Sequence, residues 1–402
     1  MKNKKFIKFI EFIGFIVLKN STNSKNIINS INALCFLLSA LCSLLFALPS
    51  EAKVTGVCSN CHTMHNSQGG QAMATYGADG QPWRGTGNPI SFLLRGTCLG
   101  CHGMGTANKI VALEGNNIPQ VYHTDPSGDL AAGNFAYIIG TKGNGASDRK
   151  GHNVIDLGNL DDFLTIPPGQ YHDHGIRNTN LTCAGTRGCH GTRNSSSTKY
   201  NSLRGAHHGN VEGRLDNPTE NYNSYRFLRN VKGLENPGVA KWQNNAPDSH
   251  NEYFGATTPL TSACGTCHIS EWVPPGVSVM VAKPASGTMS NFCGTCHGNF
   301  YTLEGIGNDV SSPFVRHPTD VFLKGTKEYA GYVYYSVIAP VARTTVPAAA
   351  SDIVQPGTDV IMCLSCHGAH ATNFEHLMRW DYKGWPENGQ TNGCNVCHTS
   401  KN

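Results

Sequence analysis

A mostly irregular fold, loop with a few short helices and minimal β structure, is what this sequence predicts. Three observations carry the prediction. The chain has 45 glycines and 20 prolines among 402 residues, and charged residues make up only 14%; glycine and proline punctuate regular structure. The hydrophobic share is an ordinary 39%, yet no long periodic apolar run follows residue 52, so a core of side chains alone would be thin for this length. Finally, the 14 cysteines after residue 52 fall into seven pairs, each ending in Cys-His. Such a chain needs something with its own apolar surface to fold around.

The cysteine spacing says what that is. Six pairs have the form C-x-x-C-H: Cys58, Cys61 and His62; Cys98, Cys101 and His102; Cys264, Cys267 and His268; Cys293, Cys296 and His297; Cys363, Cys366 and His367; Cys394, Cys397 and His398. This is the attachment signature of c-type haem. The two sulfurs form thioethers to the porphyrin, and the histidine becomes the proximal axial ligand. About 0.03 such units are expected by chance at these Cys and His frequencies. Zinc would need pairs of pairs and no histidine after every second cysteine. Disulfides are permitted by export, but a strained Cys-x-x-Cys disulfide is an odd unit to repeat. The seventh pair, Cys183 and Cys189 followed by His190, has five residues between its cysteines. Gly185 and Gly188 make the extra loop sterically cheap. Seven covalent haem c groups are expected.

Of 18 histidines, seven are proximal and 11 remain. Bis-histidine ligation of seven irons is therefore affordable without methionine. Such iron has no open position, so it passes electrons and binds no substrate, which argues against an enzyme.

Taken in order, residues 1–52 read as an export signal. Lys2, Lys4, Lys5 and Lys8 precede an apolar stretch from Leu34 to Ala47, and Pro49-Ser50-Glu51-Ala52 leads to a cut at Lys53. A membrane anchor is the alternative. Removing six lysines and two glutamates leaves 25 basic and 25 acidic side chains in residues 53–402, a single haem-carrying domain. No transmembrane span is expected in that mature part, and no basic patch with interleaved aromatics suggests nucleic acid. His65 follows His62 by three residues, as His370 follows His367. Neither can reach the far face of its own haem, so each should serve a different one. His123 and His152 are distal candidates from the turn-rich stretch before the wide site, where His172 and His174 are reserves. His207 and His208 stand side by side, and the sequence does not choose between them. His250 is another candidate, and His317, held extended by Pro318, is the natural one after the paired sites of residues 264–301. Tyr332, Val333, Tyr334 and Tyr335 give the only clear strand signal, a short pair within 329–346. Residues 373–380 read as one short helix carrying His376, a packing or solvated residue.

At this point the chain resembles the extracellular, filament-forming multihaem c-type cytochromes of metal-reducing bacteria, of the OmcS type. The segments that carry the resemblance are Cys58–Asn66, Val121–His123, Arg149–Val154, Arg316–Pro318, Cys363–Phe374 with Met378 and Arg379, and Cys394–His398. They span residues 53–402 in the same order. Residues 183–270 depart from that six-haem pattern and resemble other multihaem cytochromes with Cys-Ala-Gly-Thr-x-Gly-Cys-His and Gly-Ala-His-His segments. The resemblance implies a loop-rich sheath around a continuous haem chain. It implies that His65 ligates a haem of the adjacent subunit, giving a head-to-tail homopolymer. It also implies secretion through the periplasm to the outer surface, with redox proteins and extracellular acceptors as partners. The expected function is long-range electron transfer. The alternatives are a discrete periplasmic or outer-surface carrier, and an oxyanion reductase with one open haem.

Overall fold

The structure is a computed structural model. It describes residues 98–103, 107–113, 116–158, 161, 163–169, 176–194, 197–198, 201–203, 207, 224–235, 246–257, 287–298, 317, 319–383 and 392–400, with two short pieces at 67–68 and 71–72. The expected export segment lies outside them, as do Cys58, Cys61, His62, His65, His172, His174, His208, Cys264, Cys267 and His268.

Regular structure is sparse. Among the described residues the α-helices are short, four to six residues each: α1 (Leu99–His102), α2 (Ala136–Ile139), α3 (Met289–Gly294) and α4 (Cys394–Cys397). The strands pair two by two: β1 (Ser67–Gln68) with β2 (Gln71–Ala72), β3 (Ile110–Leu113) with β4 (Asn116–Pro119), β5 (Thr182–Ala184) with β6 (Gly188–His190), β7 (Gly233–Leu234) with β8 (Glu252–Tyr253), and β9 (Val321–Phe322) with β10 (Val360–Ile361). All are antiparallel except β5–β6. Among the described residues no helix is long and apolar enough to cross a membrane.

Two local expectations are corrected. The tyrosine-rich stretch makes no strand pair of its own. Tyr332 and Tyr335 turn inward instead, 3% and 2% exposed, and only an isolated bridge joins Tyr334 to Ile353; buried aromatics there answer to packing rather than to a ladder. Residues 373–380 form only one 3₁₀ turn, Glu375–Leu377, because His376 takes a left-handed φ of 59° that an α-helix cannot continue. The β3–β4 hairpin, conversely, supplies a strand pair outside the tyrosine-rich stretch that carried the only clear strand signal.

The apolar core comes as three patches. Tyr225, Val231, Tyr253, Met289, Val360 and Met362 anchor the first, with Cys189 and Cys293 at its border. Leu99, Phe135, Ile138, Val154 and Leu157 anchor the second, beside Cys183. Leu323, Tyr332, Tyr335 and Val341 anchor the third, beside Cys397. Each patch ends on an attachment cysteine.

Candidate haem centres

Four of the regular motifs are built alike. The N–H of the histidine donates to the carbonyl of the first cysteine: His102 to Cys98 at 3.0 Å, His297 to Cys293 at 3.0 Å, His367 to Cys363 at 3.1 Å and His398 to Cys394 at 2.9 Å. That bond closes one helical turn, which sets the two cysteines, three residues apart, on one face. In α3 the turn is started by Thr288, whose Oγ1 accepts from the N–H of Asn291 at 3.0 Å and donates to Asp320 at 2.9 Å.

The wide site reaches the same end by another route. β5 and β6 run parallel, with Thr182 opposite Gly188 and Ala184 opposite His190. Cys183 is thereby set beside Cys189, at the spacing of neighbouring strands, about 4.8 Å. Parallel strands ordinarily need a long crossover. Here three residues suffice, because each strand is very short and Gly185 takes a φ of 96°. Gly188 has no room for a side chain: a Cβ would stand 2.5 Å from the backbone of Ala184.

The five described proximal imidazoles are all aimed. Nδ1 of His102 bonds the carbonyl of Pro119 at 2.8 Å, and Nδ1 of His190 that of Arg226 at 3.1 Å. Nδ1 of His297 bonds Pro168 at 2.7 Å, and Nδ1 of His367 bonds His376 at 2.8 Å. Nδ1 of His398 bonds a carboxylate oxygen of Glu328 at 2.8 Å. Donation through Nδ1 leaves Nε2 with its lone pair, the tautomer a metal needs. Burial holds four of these rings neutral as well. It pushes His102, His190 and His367 below the ordinary range and His297 down to about 4.

Across from four of them stands a second imidazole. His102 faces His207 with ring centroids 6.3 Å apart, and His190 faces His370 at 6.2 Å. His297 faces His152 at 6.1 Å, and His398 faces His317 at 6.3 Å. Two imidazoles bound through Nε2 to one iron, with metal–nitrogen distances of about 2 Å and each ring centre about 1.1 Å beyond its nitrogen, would stand about 6.2 Å apart. The residues present therefore fit a six-coordinate haem iron between each pair. Nδ1 of His152 is held by the carbonyl of Ala369 at 2.8 Å. His370 is pushed down to about 3 by burial and then by neighbouring histidines, and its ring lies 4.8 Å from that of Phe135.

His317 is thus set against the last motif rather than the pair before it. Two further distal candidates are placed otherwise. His250 is buried with its ring stacked 3.5 Å from that of Tyr335, and its Nε2 bonds Glu252 at 2.9 Å. Glu252 in turn bonds Arg343 at 3.0 Å, and Arg343 reaches Asp359. His250 belongs to a buried charge network, with Nε2 spent on a carboxylate. His123 is also buried, but its Nδ1 accepts the N–H of Asp125 at 3.2 Å. Its Nε2 is buried and, among the described residues, has no hydrogen-bond partner, with Asp129 3.7 Å away. Among the described residues no imidazole faces His367, and the carbonyl of His376 supports that ring from its own side.

The five described attachment motifs follow one another in sequence order. His190 lies within electrostatic reach of His102, Cys189 of Cys296, Cys293 of Cys363, and Cys366 of Cys394 and Cys397. Arg193 ties two of them, donating to the carbonyl of Gly188 at 2.6 Å and to Oγ1 of Thr295 at 2.6 Å. Sequence patterns could not have found the supporting carbonyls of Pro119, Pro168, Arg226 and Ala369, since every residue carries one. Glu328 and Arg193 likewise lie in no motif.

No family model matches the chain. It is 25% identical over 365 residues to the C-type cytochrome OmcS of Geobacter sulfurreducens, across 81% of this chain and 78% of that protein. Two solved structures, both of OmcS filaments from Geobacter sulfurreducens, align with 83% of this chain and 85% of theirs at 18% identity, with TM-scores of 0.39 and 0.37. Over four fifths of its length this chain is similar to a C-type cytochrome, and the resemblance to OmcS-type cytochromes read from its motifs holds in that sequence match.

Proposed function

We propose that this is a secreted protein that carries electrons over long range along seven covalently attached, bis-histidine c-type haems. The polymeric extracellular form is favoured. The observation that carries the reading is the set of four imidazole pairs at 6.1 to 6.3 Å, each with its proximal Nδ1 already engaged. When bound, haem supplies one-electron chemistry and much of the apolar core. The chain attaches it, fixes both axial nitrogens, excludes water and sets the spacing along the row. No residue is assigned a bond-making role.

The polymer rests on two supports. The sequence relative is OmcS, which forms filaments, and His367 lacks a facing imidazole among the described residues. His65 of a neighbouring copy is the ligand we assign to it. A head-to-tail contact that does not close makes a fibre, and a coordination bond across it would make the joint durable.

Two measurements test this. A pyridine haemochrome assay of the mature protein should give seven haems per chain; a markedly lower count refutes the reading. Electron microscopy of the wild type should show filaments, and His65→Ala should abolish them and turn one haem high-spin. Discrete particles from both proteins, with no spin change, would favour the discrete carrier.

A further inference from the structure

We infer that Glu328 sets the potential of the haem held by Cys394 and Cys397, making that centre more reducing than it would be with a neutral partner behind His398. The inference rests on the reading above and concerns one residue that no motif contains.

The argument is a comparison within the molecule. Five proximal histidines are described, and four give their Nδ1 proton to a neutral carbonyl. His398 alone among them gives it to a carboxylate, Glu328, at 2.8 Å. The arrangement is built rather than casual. The backbone carbonyl of Glu328 accepts from Thr399 twice, from its N–H at 2.8 Å and its Oγ1 at 2.6 Å. The residue after the ligand thus locks the backbone of the residue that bonds the ligand. The hydroxyl of Tyr329 lies within electrostatic reach of the same carboxylate, and its ring lies 5.0 Å from that of His398. Lys327, just before, takes a left-handed φ of 57°, a local strain that the surrounding contacts must hold. The pair is partly buried, with side chains 17% and 24% exposed, so water screens it only in part.

A carboxylate on Nδ1–H draws the proton away from the ring and makes Nε2 a stronger donor. A stronger donor favours ferric over ferrous iron, which lowers the potential. Each turnover at that iron moves one electron, received from and returned to its neighbours in the row. The Nδ1 proton stays on His398 and the carboxylate stays ionised, so no proton enters or leaves. Tyr329 works against the effect, because its hydroxyl takes up part of the carboxylate's charge.

Spectroelectrochemical titration of the haem-loaded protein tests this with two near-isosteric variants. Glu328→Gln keeps an acceptor and removes the charge: one-seventh of the haem absorbance should titrate at a more positive potential, the rest unchanged. Tyr329→Phe removes the competing hydroxyl: the same one-seventh should move the other way. A residue that merely packs would not give opposite signs. Wild type with seven haems and both variants with unmoved potentials overturns the inference. Should Glu328→Gln fail to load haem, an unmoved potential in Tyr329→Phe does so alone. Wild type that lacks haem refutes the proposed function instead.

Discussion

Gly151→Ala is the most informative single change. His152 and His370 face different proximal histidines, His297 and His190, yet one backbone joint holds both. The N–H of His152 donates to the carbonyl of His370 at 3.0 Å, His152 Nδ1 bonds the carbonyl of Ala369 at 2.8 Å, and Thr372 donates to Lys150 at 3.0 Å. Gly151 lies at its centre, bridged to Ala371. Its φ is −170°, extended backbone that alanine adopts freely, so the cost of the change is steric. A Cβ would stand 2.5 Å from Cβ of Ala371, 2.6 Å from Cδ1 of Ile138 and 2.7 Å from the carbonyl oxygen of His370. Ile138 can rotate away, but the Ala371 Cβ, fixed to its backbone, and the His370 carbonyl cannot without opening the joint. Overpacking of this kind costs about 1–3 kcal/mol. His370→Ala, by comparison, should leave one haem five-coordinate. Gly151→Ala should loosen two, those on His190 and His297, although it alters neither imidazole. Carbon monoxide binding to the reduced protein reads this directly: up to two haems of seven should bind, against one for His370→Ala. A Gly151→Ala protein that binds none and melts with the wild type would refute the joint.

Three further outcomes follow from the same geometry. Gly188→Ala should lower the haem count by one, measured as pyridine haemochrome per chain, because a Cβ 2.5 Å from Ala184 denies Cys183 its register beside Cys189. Glu252→Gln should leave every iron low-spin while lowering thermal stability by about 3–5 kcal/mol, since it strips the buried Arg343 and His250 of a partner; a new high-spin signal would return His250 to the ligands. His123 is held down to about 4, chiefly by burial and then by Lys142, against an ordinary 6.5. Below pH 6.5 the unfolded chain takes a proton that the folded one refuses, so up to about 3 kcal/mol should be lost between pH 6.5 and 4; His123→Gln should flatten that part of the melting profile.

How much of this was legible beforehand depends on what kind of group does the work. Cysteine and histidine in a fixed local spacing are chemistry written in the sequence, and the loop-rich fold followed from the thin side-chain core. Distal pairing was not legible. His317 pairs with His398 across 80 intervening positions, and nothing local in Arg-His-Pro marks that partner. His250 looked like the other spare histidines, because the carboxylate that claims it, Glu252, is common on any surface. The tyrosine-rich stretch carried a strand's composition, but two of its rings were needed for the third apolar patch, and tertiary packing overrode propensity. The wide site was read as a bulge eased by glycine; that it would be a parallel bridge could not be seen in composition.

The three apolar patches bear on how such a chain can change over time. Each borders attachment cysteines, and among the described residues no single interior spans them all. Swapping one segment for another with a different cysteine spacing, as at residues 183–189, disturbs the two patches that share that pair and leaves the third. The length of the row is then open to revision by insertion or loss of a unit, much as beads are added to a string, with the junctions at each end as the only fixed terms.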